Sequence, residues 1–395
     1  MVSSTLPPRS FPALFVRGGT TTGLVIMRDA LPQDQEQWNT VLPSAMGSPD
    51  PVHARQLNGM GGGTSSTSKI CVLSRSERPD VDVDFTFVQV GIKDGVLDLA
   101  SNCGNMSSAV GPVAWDEGLV GDTPAKVKQD LTGQDRDPDQ EDYREATVRF
   151  FNTNTSKVVH SRFRVSGDPP RYCPEGDYAM DGVPGTQSCI TLSFLDPAGA
   201  KTGKALPTGN AVDILELPGG AGSIPASLVD VSNPGVFVRV SDLEVGQDVT
   251  AQKFTPAVVD ADAKLKARLE AIRQAGATRM GLDPKTESVP KIVLLFDETA
   301  DDGVDVQCLA LSMGQPHKDV PLTLALCLGA AANIPGTLAA EVRRRRDDDK
   351  GSSSSVVIGH PSGRVEISTT VENGKIVSAD LLRTARVLMK GEVYY

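Results

Sequence analysis

A duplicated α+β architecture is the fold class this sequence predicts, and three observations predict it. At 395 residues the chain is longer than the roughly 250–300 residues at which a single core stops growing, so two domains are expected. Phe85-Thr-Phe-Val-Gln-Val90 alternates like a strand, turns through Leu99–Asn105, and gives way to Met106, Ala109, Val110, Val113 and Ala114 at helical spacing. The same order returns later: a strand at Val306–Leu311, a corner at Ser312–Asp319, and the run Val320–Ala332, which is apolar all round and should be a buried helix. The expected division is a first domain over 1–190 and a second over 191–395. The tail 382–395, a strand or short helix, is expected to close back on the first half.

The remaining elements follow in order. Phe11–Met27 reads as a hairpin about Gly18-Gly19, and residues 31–46 as a short helix with Trp38 and Leu42 on one side. A Gly-rich run, Asn58–Lys69, leads into the strand Ile70–Leu73. The helix that follows Cys103 should end near Asp116, and the charged, Pro- and Gly-containing residues 121–145 read as a surface excursion. Val148–Val165 forms a second hairpin, Ile190–Phe194 and Val236–Val240 are strands, 261–275 is an amphipathic helix, and Ile292–Phe296 is an apolar strand. Arg343–Ser355 mixes four arginines, three aspartates and a serine run, which suits a loop better than a nucleic-acid patch.

Thirty-nine basic against fifty acidic residues leave a net charge of −11. Nucleic acid is therefore not an expected partner, and an anionic substrate must be drawn by a local positive pocket. Six cysteines without CxxC spacing indicate neither a zinc site nor a disulfide framework, so no metal is expected and a reduced, cytoplasmic protein is. No run of about 18 apolar residues is present to cross a bilayer, and Met1–Ser10 lacks the apolar core of a secretory signal.

Two side chains carry the chemistry. Cys103, between Asn102 and Gly104-Asn105, falls at the start of a helix, where free N–H groups and the helix dipole bind carboxylates and lower a thiol pKa. A buried structural cysteine is the competing reading. Lys69 ends the Gly-rich run, but GxxxxGK[ST] spacing is absent and a strand follows where a helix should, which rules out a nucleotide loop. A lysine just inside an apolar strand either snorkels to solvent or has a depressed pKa suited to proton transfer. Ser65, Ser66 and Thr67 could meet carboxylate oxygens beside it. Arg17, beside the hairpin turn, and His317 and Lys318, at the second corner, are candidate cations for the same cleft. By itself Arg17 reads better as a solvated turn residue.

Taken together, Val16-Arg-Gly-Gly-Thr20, Gly61-Gly-Gly-Thr-Ser-Ser-Thr-Ser-Lys69, Asn102-Cys-Gly-Asn105, Asn233-Pro-Gly-Val-Phe237, Gln315-Pro-His-Lys318 and Gly359-His-Pro-Ser-Gly363 resemble the PrpF family, related in fold to diaminopimelate epimerase. The resemblance implies two similar domains, each a sheet or barrel wrapped about a central helix, with the active site between them. It implies that Lys69 and Cys103 are the catalytic acid/base pair. Arg17, Ser65, Ser66, Thr67, Asn102, Gly104, Asn105, His317 and Lys318 would then clamp the carboxylates. The implied reaction is 1,3-allylic proton transfer in an unsaturated tricarboxylate, with no cofactor. The first choice is cis- to trans-aconitate; methylaconitate, methylitaconate and oxalomesaconate are the runners-up. A tricarboxylate-binding accessory of an iron–sulfur dehydratase, or a hydrolase pairing Cys103 with His317 or His360, are the rival classes. A small-molecule substrate is the expected partner, and a homodimer is left open.

Overall fold

The computed structural model describes residues 9–100, 103–121, 127–129, 143–220, 222–243, 245, 250–299, 302–344, 353–372 and 375–395. Most of the charged excursion at 121–145 and the centre of the Arg/Asp/Ser segment therefore lie outside the described residues, as does Asn102. Twenty of the described strands are linked by backbone hydrogen bonds into one continuous system, which encloses two buried helices.

The first half opens with β1 (Ser10–Gly18) and β2 (Thr21–Met27), an antiparallel hairpin. β3 (Lys69–Arg75) lies parallel to β2, and β4 (Val83–Val90) lies antiparallel to β3. The helix α1 (Trp38–Met46) is shorter than the sequence suggests, because residues 31–34 are not helical and a single 3-10 turn occupies Gln35–Gln37 before it. From β4 the chain enters α2 (Gly104–Asp116), whose residues Gly104 to Trp115 are all buried. A hairpin of Arg144–Asn152 and Lys157–Ser166 then joins β4 in parallel through Val83↔Phe150.

The second half repeats this order. Ser223–Val231 and Asn233–Arg239 form the hairpin, Lys291–Leu295 lies parallel to its second strand, and Val306–Ser312 lies antiparallel to that. Two outer helices, α3 (Pro256–Ala261) and α4 (Ala263–Arg279), are inserted between. The buried α5 (Leu322–Ala331) follows, and then the short α6 (Leu338–Val342). The hairpin Ser353–His360 with Gly363–Glu372 joins Val306–Ser312 in parallel. Ile190–Leu195 bonds both to Lys157–Ser166 and to Lys375–Arg383, so the sheet runs from one half into the other. The tail is a strand, Ala385–Tyr394, paired with β1 from Ser10↔Tyr394 to Gly18↔Ala385.

The cores explain the sequence pattern. One cluster surrounds α2 and α5 together and takes residues from both halves. A second packs α4 on the outer face of the later sheet, and a third packs α1 on the outer face of β1–β4. Strands such as Ile70-Cys-Val-Leu73 and Ile292-Val-Leu-Leu295 are thus covered on both faces, which is why they read as continuous apolar runs without alternation. The Gly-rich segment also has a packing reason: a Cβ on Gly59 would stand 2.1 Å from the Gly47 nitrogen, so this loop lies directly on the end of α1.

Candidate active site

α2 and α5 meet start to start. Cys103, in extended conformation (φ −115°, ψ 98°), is the N-cap of α2, and Pro321 is the N-cap of α5; neither side chain returns a hydrogen bond to its helix. Gly104 packs directly against Leu322, the first residue of α5. The two positive helix ends therefore open on one cavity of about 650 Å³ of empty space, mouth included. Its wall includes Ser65, Ser66, Lys69, Cys103, Gly104, Asn105 and His317, so these sequence candidates are brought together.

Lys69 is placed by register. It is the first residue of β3, opposite Gly23 on β2 and Gln89 on β4. Its Nζ lies 5.4 Å from the centre of the Phe87 ring and donates to Gln89 Oε1. The Gln89 amide is in turn aimed by donating to the carbonyls of Ser68 at 2.9 Å and Ser65 at 3.3 Å. Lys69 thus sits on an aromatic face with a neutral acceptor and no carboxylate within ion-pair distance among the described residues. The half-buried Cys103 thiol has a neighbour in Cys71, which is fully buried; burial pushes the Cys71 thiol well above its usual range, so it stays protonated.

Asn105, one residue into α2, ties the site together. Its Nδ2 donates to Thr20 Oγ1 at 3.0 Å, and its Oδ1 accepts from the buried Arg383 at 3.3 Å. Thr20 Oγ1 donates across the cleft to Asp319 Oδ2 at 2.7 Å. His317 Nδ1 stands 3.8 Å from Asp319 Oδ1, an ion-pair distance rather than a hydrogen bond. Burial opposes the Asp319 charge, but His317 and the Thr20 hydroxyl more than offset it and hold the carboxyl down at about 2.

Three candidates are elsewhere. Arg17 does not reach the cavity: its guanidinium donates to the carbonyls of Gly19 at 2.8 Å and Thr384 at 3.1 Å, and to Gln187 Oε1. Carbonyls at the hairpin end lie nearer than the cleft and absorb its donors. Thr67 Oγ1 accepts from the Thr64 N–H at 3.3 Å, closing a capping box, and lies 2.8 Å from the Thr64 hydroxyl instead of facing a ligand. Lys318 is exposed on the corner, with its carbonyl held by Ser362 Oγ. His360 lines a neighbouring cavity with Arg383 and Asp181 rather than the one containing Cys103. Conversely, Thr21, Gln89, Ser288, Lys291, Ser312 and Asp319 line the site without having been singled out from the sequence.

Fold, cavity and comparison with known proteins together define an isomerase with epimerase-like halves. A hydroxyproline epimerase from Agrobacterium vitis, 13% identical, shares the fold with a TM-score of 0.52 over 98% of this chain and 93% of that one. The crystal structure of a methylitaconate-delta-isomerase matches with a TM-score of 0.73 at 35% identity, covering 98% of this chain and 96% of the other. The 3-methylitaconate isomerase of Eubacterium barkeri is 36% identical (97% of this chain, 96% of the relative). The (4E)-oxalomesaconate Delta-isomerase of Novosphingobium sp. strain KA1 is 37% identical (98% and 97%). Residues 9–395 match the family described as PrpF protein, and the chain belongs to that family.

Proposed function

We propose that the protein moves a carbon–carbon double bond by 1,3-allylic proton transfer in an unsaturated tricarboxylate, cis-aconitate to trans-aconitate first, without a cofactor. Methylaconitate, methylitaconate and oxalomesaconate are the next substrates to try. The observation that carries this reading is that the Lys69 amine and the Cys103 thiol meet on a cavity into which two uncapped helix starts open.

The chemistry follows from that set. A proton on the carbon between a C=C and a carboxylate is acidic because the electron pair left behind spreads into an allylic, enolate-like system. One member of the Lys69/Cys103 pair accepts this proton, and the other delivers one to the far end of the allyl unit. The double bond shifts, and no electrons leave the substrate. The N–H groups at the starts of α2 and α5 face the carboxylate on which negative charge grows. Ser65, Ser66, Asn105 and His317 supply further donors. Lys69 and Cys103 act as the acid/base pair, and the remaining wall positions the acid.

Proton NMR of cis-aconitate in D₂O with purified protein tests the reading. The expected result is a shifted double bond with deuterium entering at the allylic carbons, repeated over the runner-up acids to rank them. Lys69→Ala and Cys103→Ala should each stay folded and lose turnover by about 10²-fold or more. Near-normal turnover in either variant refutes that residue's role.

A further inference from the structure

The duplication places a second lysine where the first one stands. In the first half Gly23 pairs in parallel with Lys69; in the second, Gly235 pairs in parallel with Lys291. Each lysine opens the strand that lies parallel to its half's hairpin, is followed by at least four apolar residues, and lines the cavity between the two helix starts. The strand that faces each across the antiparallel ladder supplies a polar wall residue, Gln89 in one half and Ser312 in the other.

Lys291 is only 6% exposed. Its Nζ donates to the Ser288 carbonyl at 2.9 Å, and among the described residues no carboxylate lies within ion-pair distance. A buried ammonium with a single carbonyl acceptor is costly to fold around, and such a site is stabilised when an anion enters.

We propose that Lys291 is a substrate-binding residue that holds a carboxylate of the polyanion from the second half, opposite Lys69. The identity of that polyanion rests on the isomerase reading; the cation site itself does not. The electrostatics of the cavity agree. Burial pulls the Lys291 ammonium down to about 8; Asp98 and Cys103 pull it up, while Lys69 adds to the depression. His317 and Asp319 are the other titratable groups on this wall. A carboxylate placed beside Lys291 raises its pKa, so binding near pH 8 to 9 draws a proton from solution.

The test uses propane-1,2,3-tricarboxylate, which has no double bond to move, and titration calorimetry in buffers of different ionisation enthalpy. The intact protein should bind it more weakly as pH rises through 8 and should take up a fraction of a proton near that pH. Lys291→Met should weaken binding by about 30-fold or more and abolish the proton uptake, whereas Lys69→Met should keep the uptake. Lys291→Arg should retain binding within about tenfold and lose the alkaline weakening, because arginine stays charged. Circular dichroism checks each variant's fold, and the arginine variant decides the matter if Lys291→Met does not fold. Wild-type affinity and uptake in Lys291→Met, an unchanged alkaline weakening in Lys291→Arg, or no binding by the intact protein overturns the proposal. Tight, Lys291-dependent binding by a protein that isomerises none of the unsaturated acids upholds Lys291 and removes the isomerase reading instead.

Discussion

Gly104→Ala is the smallest change that should disable the site, and its size can be worked from the contact between the two helix starts. A Cβ on Gly104 would stand 2.6 Å from Leu322 Cδ2 and 2.9 Å from both Cβ and Cγ of the same residue. Leu322 is 3% exposed and begins α5, and its Cβ, fixed to the helix backbone, is one of the clashing atoms, so turning the side chain alone does not relieve the overlap. Relief must come from moving the starts of α2 and α5 apart by several tenths of an ångström, carrying Cys103 with them. Overpacking of this kind costs about 1–3 kcal/mol of stability. A misplacement approaching 1 Å at the reacting centre costs on the order of 10² in rate. We expect a folded variant with a modestly lower denaturation midpoint and turnover reduced by about 10- to 100-fold, read by deuterium incorporation in D₂O. Adding Leu322→Gly removes all three clashing atoms, the Cβ included, and should recover much of the rate, although the cavity and the helical glycine it leaves lower stability by a further ~3–6 kcal/mol. Wild-type turnover in Gly104→Ala, or a double variant no faster than the single one, would show that the spacing of the helix starts does not control the chemistry.

Two further outcomes are expected. Gln89→Glu puts a carboxylate against Lys69 in place of a neutral amide, which favours the charged amine. Turnover should fall by about tenfold or more because the amine is then held in an ion pair, and wild-type turnover refutes a role for Gln89 in positioning Lys69. Lys291→Met should trade function for stability. The folded ammonium titrates at about 8, below an unfolded lysine at about 10.4, so the unfolded state binds more protons between those values and wild-type stability rises with pH across that window. The methionine variant should lose this slope and be more stable at pH 7 by up to about 3 kcal/mol in urea titrations at pH 7 and 10; an unchanged slope refutes the assignment.

Cys103 was legible because its surroundings are local. Alternation before it, helical spacing after it, and Gly104 and Asn105 beside it describe a helix start without reference to the rest of the chain. Lys69 was legible as a cation at the edge of an apolar strand. Its acceptor Gln89 was not, because that partnership depends on the β3–β4 register, which brings together residues twenty positions apart. Lys291 carried a signal that could have been read: Pro290-Lys-Ile-Val-Leu-Leu295 repeats the form of Ser68-Lys-Ile-Cys-Val-Leu73, and aligning the two halves on their buried helices would have matched the lysines. Arg17 and Lys318 misled for a common physical reason. A long cation beside a turn has backbone carbonyls or solvent within easier reach than a cleft, and proximity in sequence to Gly-Gly or His317 does not say which acceptor is closer.

The pairing of Ser10–Gly18 with Ala385–Tyr394 has a consequence for biosynthesis. During translation β1 emerges well before Ala385–Tyr394, the strand that covers one of its edges. Phe11 is 3% exposed in the finished protein and lies 5.4 Å, ring centre to ring centre, from Tyr395. Until Ala385–Tyr394 arrives, that edge offers unpaired N–H and C=O groups beside an uncovered aromatic ring, an invitation to chaperones or to a neighbouring nascent chain. Any change that weakens Ala385–Tyr394 would burden the seam on which closure of the first half depends.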